Sequence, residues 1–97
     1  MRYLGTVEQG VDEIVEYGVL TTNWGSSPTN VTVVVKNADT DEVVTDDVTD
    51  GNASVAGNTI TLPKIQALTA ETIYRVEVKF DVGNHTLEAY FKIVACT

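Results

Sequence analysis

The sequence predicts an all-β domain, an antiparallel β-sandwich of about seven strands, and three observations predict it. Valine and threonine recur along the chain, and their branched side chains fit a pleated surface. Apolar and polar residues alternate at period two over several short segments. Turn-forming residues interrupt those segments at roughly 8–12-residue intervals, the rhythm of a sandwich or a barrel. The 97 residues fit one domain, 1–97, whose size suffices for a single core without disulfide staples.

The elements follow from the N-terminus. Tyr3 to Val7 reads as an edge strand, broken at Gly10. Glu13 to Leu20 resumes the pattern, with Val15, Tyr17 and Val19 on one face. Thr21 to Pro28 is rich in turn formers and carries Trp24, which reads as a core plug; at the rim of a polar loop it would instead anchor an interface. Asn30 to Lys36 alternates again: Val31, Val33 and Val35 point one way, Thr32, Val34 and Lys36 the other. Asn37 to Asp41 is a polar turn, and Glu42 to Thr45 returns as a short strand. Asp46 to Asn52 is acidic, contains Gly51 and reads as a loop. Ala53 to Ala56 and Thr59 to Leu62 form a small hairpin through Gly57-Asn58, closed by Pro63. Lys64 to Thr72 is a crossing connection with room for a helical turn at Ile65 to Leu68. Ile73 to Phe80 is the clearest strand: Tyr74, Val76, Val78 and Phe80 share one face, and Arg75, Glu77 and Lys79 share the other. Asp81-Val82-Gly83-Asn84 turns the chain into His85 to Val94, where Leu87, Ala89, Phe91 and Ile93 face inward.

This spacing in a chain of this length argues for an Ig-like (fibronectin-like) sandwich, with an antiparallel barrel as the alternative. Leu68-Thr69-Ala70-Glu71-Thr72-Ile73-Tyr74 looks like a tyrosine corner, in which a Tyr near the start of a late strand packs inside and ties its hydroxyl to upstream backbone.

Charge narrows the partners. Six Lys and Arg against fourteen Asp and Glu give a net charge of -8, which disfavours nucleic acid, acidic membrane surfaces and other polyanions. No apolar run reaches the ~18 residues of a membrane helix. Met1-Arg2-Tyr3-Leu4-Gly5 lacks the apolar stretch of a signal peptide. The single Cys96 has no partner for an internal disulfide and is in keeping with a reducing compartment.

Little in the sequence points to chemistry. Asp39, Asp41, Glu42, Asp46, Asp47 and Asp50 fall between Lys36 and Lys64 with no basic residue among them. Calcium takes several oxygens from such loops, but the order departs from an EF-hand loop. Turn initiation and protection of strand edges explain the same residues more simply. His85 stands alone after a turn, whereas zinc needs about four ligands. Cys96 lies next to the C-terminus, on a tail expected to fray, with no base to activate it. Asn30-Val31-Thr32, Asn52-Ala53-Ser54 and Asn84-His85-Thr86 are glycan acceptor triplets by pattern, and with threonine this common chance accounts for them. Arg75, Lys79 and Lys92 alternate with Glu77 and Glu88 on outer strand faces, as on a solvated surface with cross-strand pairs. The expectation is a protein that is not an enzyme, with no catalytic, cofactor-binding or metal-binding residues and no cofactor.

A resemblance adds to this reading. Glu13 to Leu20, Asn23-Trp24-Gly25, Val31-Thr32-Val33, Leu68 to Val76 and Leu87 to Phe91 together resemble the small Ig-like structural proteins of tailed bacteriophages, among them capsid decoration and fibre–tail adaptor proteins. The resemblance spans about Val7 to Val94. The phage proteins often carry Gly-Gly or Ala-Gly before the Thr-x-Tyr element, where this chain has Thr69-Ala70-Glu71. The resemblance implies a non-enzymatic virion structural protein, made in the host cytoplasm and present in many copies. Its partners would be other virion proteins: the major capsid protein, or tail or fibre proteins. An Ig-like or fibronectin-like binding module of a bacterial cell-surface protein is the alternative. The absence of a linker in the sequence favours a whole gene product. The acidic loops are expected at a solvent-facing end, with docking elsewhere. Strand addition through Tyr3 to Val7 or through the Val94 tail is one route, and removing residues 1 to 8 is then expected to abolish assembly yet leave a folded monomer.

Overall fold

The computed structural model describes residues 2–97; Met1 lies outside them. The strands run β1 (Arg2–Gly10), β2 (Gly18–Leu20) and β3 (Thr29–Asn37), followed by one helical turn, α1 (Thr45–Val48). Then come β4 (Thr49–Asp50), β5 (Ser54–Ala56), β6 (Thr59–Thr61), β7 (Lys64–Ile65), β8 (Ile73–Val82) and β9 (His85–Cys96). They form a four-stranded sheet in the order β1-β9-β8-β3, a three-stranded sheet β2-β6-β5 and a two-stranded β4-β7 pair. The chain is nearly all-β, and its several sheets are compatible with a β-sandwich; no sheet closes into a barrel among the described residues.

The period-two pattern builds the core. Along β8, Tyr74, Val76, Val78, Phe80 and Val82 are buried while their neighbours are not. β9 pairs with β8 antiparallel from Ile73↔Val94 to Val82↔His85. That register places Val76 opposite Phe91, Val78 opposite Ala89 and Tyr74 opposite Ile93, all on the inner face. β3 adds Val35, and Val19 of β2 and Ile60 of β6 meet these residues from the other sheet. Leu62, Ile65 and Leu68 extend the same core along the segment from β6 into the crossing connection. β8 and β9 are 10 and 12 residues long, and at about 3.3 Å per residue they account for the molecule's 40 Å long axis.

The tyrosine corner is in place. The Thr69 backbone N–H donates to the Tyr74 hydroxyl at 2.9 Å, and Tyr74 itself is buried. Tyr74→Phe is expected to lower stability by about 1 kcal/mol, the net worth of one such bond. Urea unfolding of the two proteins measures it, and equal midpoints would show that the bond is not structural.

Four local expectations differ. β1 runs parallel to β9, not antiparallel to a neighbour, because it joins the C-terminal strand and not β2. Within Glu13 to Leu20 only Gly18–Leu20 is continuous strand; Val15 makes an isolated bridge to Ile65, although Val15, Tyr17 and Val19 do share the more buried face. Glu42 to Thr45 contributes a single bridge, Val43 to Lys36. The Thr45 hydroxyl then accepts the Val35 N–H at 2.9 Å, so the side chain takes the place of a strand partner. The helical turn follows at Thr45–Val48, where Asp46 and Asp47 occupy the first turn and suit the positive end of a helix. No helical turn forms at Ile65 to Leu68; Ile65 instead pairs with Thr49 in the β4-β7 ladder.

A candidate interaction surface at the open sheet edge

The polar residues singled out by sequence lie in separate places. Asp41 accepts from Arg75 at 3.1 Å, and Arg75 also meets Glu77 at 2.7 Å. Lys36 approaches Glu77 at 3.5 Å, which completes an ion-pair cluster on the outer face of β3 and β8. Of these only Asp41 is exposed, and its pair with Arg75 contributes little to stability. The Asn37 side chain accepts the Asp39 and Thr40 amides and so shapes the turn. Asp46 and Asp47 lie in the first turn of α1, and Asp50 ends β4. Among the described residues no three His, Cys, Asp or Glu side chains are grouped to hold a metal ion. His85 is exposed at the β8–β9 turn. Asp81, at the same turn, accepts from Asn30 at 2.9 Å and from Thr86 at 2.7 Å. These two bonds, with Lys79 nearby, hold its carboxyl below the usual carboxylate range.

Cys96 departs from the frayed tail expected of it. It is half-buried, pairs with Gly10, and its carbonyl accepts the Val11 N–H at 2.8 Å. The reason is the length of β1, which runs alongside β9 to its end. The Val94 tail is therefore inside the sheet, flanked by β1 and β8, and offers no free edge.

Trp24 is half-buried and packs on the core, stacked on Phe80 with ring centroids 5.9 Å apart. The Arg2 guanidinium lies 5.4 Å from its ring centroid, a cation–π contact that ties the start of β1 to the loop.

The sheet edges differ in how well they are closed. The β3 edge is bridged by Val43 and capped by Thr45 at its C-terminal end only, at Val35 to Asn37, and no described strand lies beside Val31 to Val33 on that side. The edge strands of the smaller sheet, β2 and β5, have three residues each, too short to template another strand well. β1 has nine residues and pairs on one side only, with β9. Its direction can be read from its C-terminal end. Val11 donates to β9, whereas Gly10 donates the other way, to the Glu13 carboxylate. Alternation along a strand then turns the amides of Glu8 and Thr6 outward with that of Gly10. Glu13 thus seals the last outward amide and leaves the stretch before it open.

A groove lies beside this open stretch. Leu4, Gly5 and Val7 of β1, Tyr17 and Gly18 of the β2 segment, and Phe91 enclose about 150 Å³. Tyr17 and Phe91 form its aromatic part, with centroids 5.2 Å apart. Val7 pairs with Ile93 and so points inward, yet it remains 37% exposed, and Leu4 41%. The cause is topological. Because β1 pairs with β9 and not with β2, the sandwich is unzipped along this side. Gly5, at φ 121°, sits in a register shift between Tyr3 and Thr6 that bends the strand there. Burial raises the pKa of the Tyr17 hydroxyl, and the nearby Glu13 carboxylate raises it further.

One residue of this region escaped the sequence reading. Gln9, polar and next to Gly10, is fully buried. Its amide donates to the carbonyls of Ile65 at 2.8 Å and Glu13 at 3.1 Å, and its oxygen accepts the Tyr17 hydroxyl at 2.7 Å. Its inward phase, two residues after Val7, was the available signal. No described helix is long and apolar enough to cross a membrane. No protein-family model, curated protein or solved structure matches the chain.

Proposed function

We propose that the chain is an Ig-like (fibronectin-like) sandwich that works as a non-enzymatic docking module, a virion structural protein of a tailed phage seated on the capsid shell or at a tail or fibre junction. Strand order supports the fold. β2-β6-β5 opposite β3-β8-β9 follows the order that strands B-E-D and C-F-G take in Ig-like domains. The bond from Thr69 to Tyr74 falls at the start of β8, where such domains place their tyrosine corner.

The observation that carries the function is the open edge of β1. Several other polar groups are spent within the fold: Asp41 and Glu77 on Arg75, Gln9 on Tyr17, Thr45 on Val35. The β1 edge and its apolar groove are instead left facing solvent, as expected of a rigid scaffold that recognises protein. Partners are then other virion proteins, met in many copies per particle, with assembly in the host cytoplasm.

Mass spectrometry of purified particles of the encoding phage tests this directly. The chain is expected in many copies per particle. Its absence from particles, with the protein present in the infected cell, would overturn the reading.

A further inference from the structure

We propose that the cleft between β1 and β2 takes an extended partner segment in which apolar and basic residues alternate, added as a new strand to the free edge of β1. The inference deepens the docking reading and rests on it only for the partner being a protein.

Backbone, groove and charge each constrain the occupant. The outward amides of Thr6 and Glu8 and their carbonyls need an extended backbone to pair with, since side chains alone cannot reproduce a ladder. The groove at Leu4, Val7, Tyr17 and Phe91 accepts small apolar side chains at alternate positions of that strand, because successive residues point to opposite faces. Around the groove the chain is acidic: Glu8 follows Val7, Glu16 precedes Tyr17, and the Glu13 carboxylate acts on the Tyr17 hydroxyl. All three acids belong to exposed residues. Arg2, the one cation of β1, is drawn away over Trp24, and Lys92 of β9 is the cation opposite Thr6 on the Glu8 face. In such a strand the Lys or Arg residues fall on the face opposite the groove, where exposed Glu8 lies, while its apolar residues enter the groove. A second copy of this chain would bring the same acids and a further charge of -8, so it is the poorer occupant. The sealing of Gly10 by Glu13 also sets a limit: the added strand ends before Gly10.

The test uses the full chain, labelled with ¹⁵N, and a short synthetic peptide alternating Lys with Val. Amide shifts are expected along Arg2–Gln9 and Tyr17–Leu20, with affinity falling about tenfold or more from low to physiological salt. A peptide with Glu in place of Lys, and one whose alternate backbone nitrogens are methylated, are both expected to bind at least about tenfold more weakly. Val7→Lys is expected to abolish binding with the rest of the spectrum preserved; should that variant unfold, Leu4→Lys replaces it. Equal binding of the acidic or methylated peptide, shifts centred on another face, or a dimer of the unliganded chain in sedimentation would each overturn the inference. Particle association distinguishes the two readings. Folded Val7→Lys that still joins particles rejects the strand-addition site and leaves the docking function standing. Peptide binding at the cleft with no chain in particles does the reverse.

Discussion

Gly25→Ala is expected to lower stability by about 3 kcal/mol, combining strain in the backbone with overpacking of the core. Gly25 has φ 144°, a conformation side chains rarely adopt, and a Cβ there would meet Val82 Cγ1 at 2.0 Å. Neither partner can yield. Val82 is buried at the end of β8. The loop is clamped by Thr21, a fully buried residue whose N–H donates to the Asn58 carbonyl at 2.8 Å. The Thr21 carbonyl accepts the Trp24 and Gly25 amides at 2.8 and 3.0 Å, and its hydroxyl donates toward the Gly25 and Asn58 carbonyls. Shifting Gly25 therefore shifts Trp24 off Phe80 and loosens Arg2. Trp24 is the sole tryptophan, so its fluorescence reads the loop itself during urea unfolding. The double variant Gly25→Ala, Val82→Ala is expected to relieve the clash but not the φ strain, so the two changes should be less damaging together than their sum. A single-variant loss under about 1 kcal/mol would show that the loop tolerates a side chain after all.

Much of this architecture was legible because period two is a strong signal on long strands. In β8 and β9 the inner faces follow the sequence pattern from Tyr74 to Phe80 and from Ala89 to Ile93. The hairpin at Gly57-Asn58 followed from turn chemistry, and Gly57 does take φ 61°. The short elements were harder. Val43 and Thr45 alternate like a strand, but a hydroxyl that replaces a backbone partner leaves no mark in hydropathy. The choice of β9 as partner for β1 is a long-range pairing, set by which inner faces meet, and no local pattern encodes it. The cleft inherits that illegibility. Tyr3 to Val7 could be read as an edge strand, yet that its edge stays open depends on β2 lying in the other sheet. The same pairing alters the expected effect of removing residues 1 to 8. Arg2 to Glu8 form most of a strand of the main sheet, so their loss is expected to destabilise the monomer as well as to affect assembly, and point variants at Val7 or Leu4 are the better probes.

Gln9→Ala is expected to cost about 3 kcal/mol, comparable to losing a core side chain, although the residue is polar. The cost has two parts. A buried volume is vacated, and the Tyr17 hydroxyl and the Glu13 carbonyl lose this partner, while the Ile65 carbonyl keeps the Val15 N–H. Those three groups belong to the β2 lead-in, to β7 and to the turn after β1, so one carboxamide joins three segments of the chain. Gln9→Leu separates the parts. It refills most of the volume but restores no hydrogen bond, and its expected loss is about 2 kcal/mol, between wild type and Ala. A Leu variant as stable as wild type would show that the amide serves only as filling. The Tyr17 end of the network has a signature of its own. Burial and Glu13 raise the folded-state pKa of Tyr17, so its contribution is fully present below the ordinary tyrosine range and is lost as pH rises from there through the folded value. Tyr17→Phe removes this titration, and Gln9→Ala should weaken it, because a phenol that donates to no amide has less reason to keep its proton. Alkaline unfolding curves for wild type, Tyr17→Phe and the double variant read the coupling. If the two substitutions simply add, Tyr17 and Gln9 do not act as a unit. If they fall short of additivity, the hydroxyl that lines the cleft is held in place by the buried amide behind it.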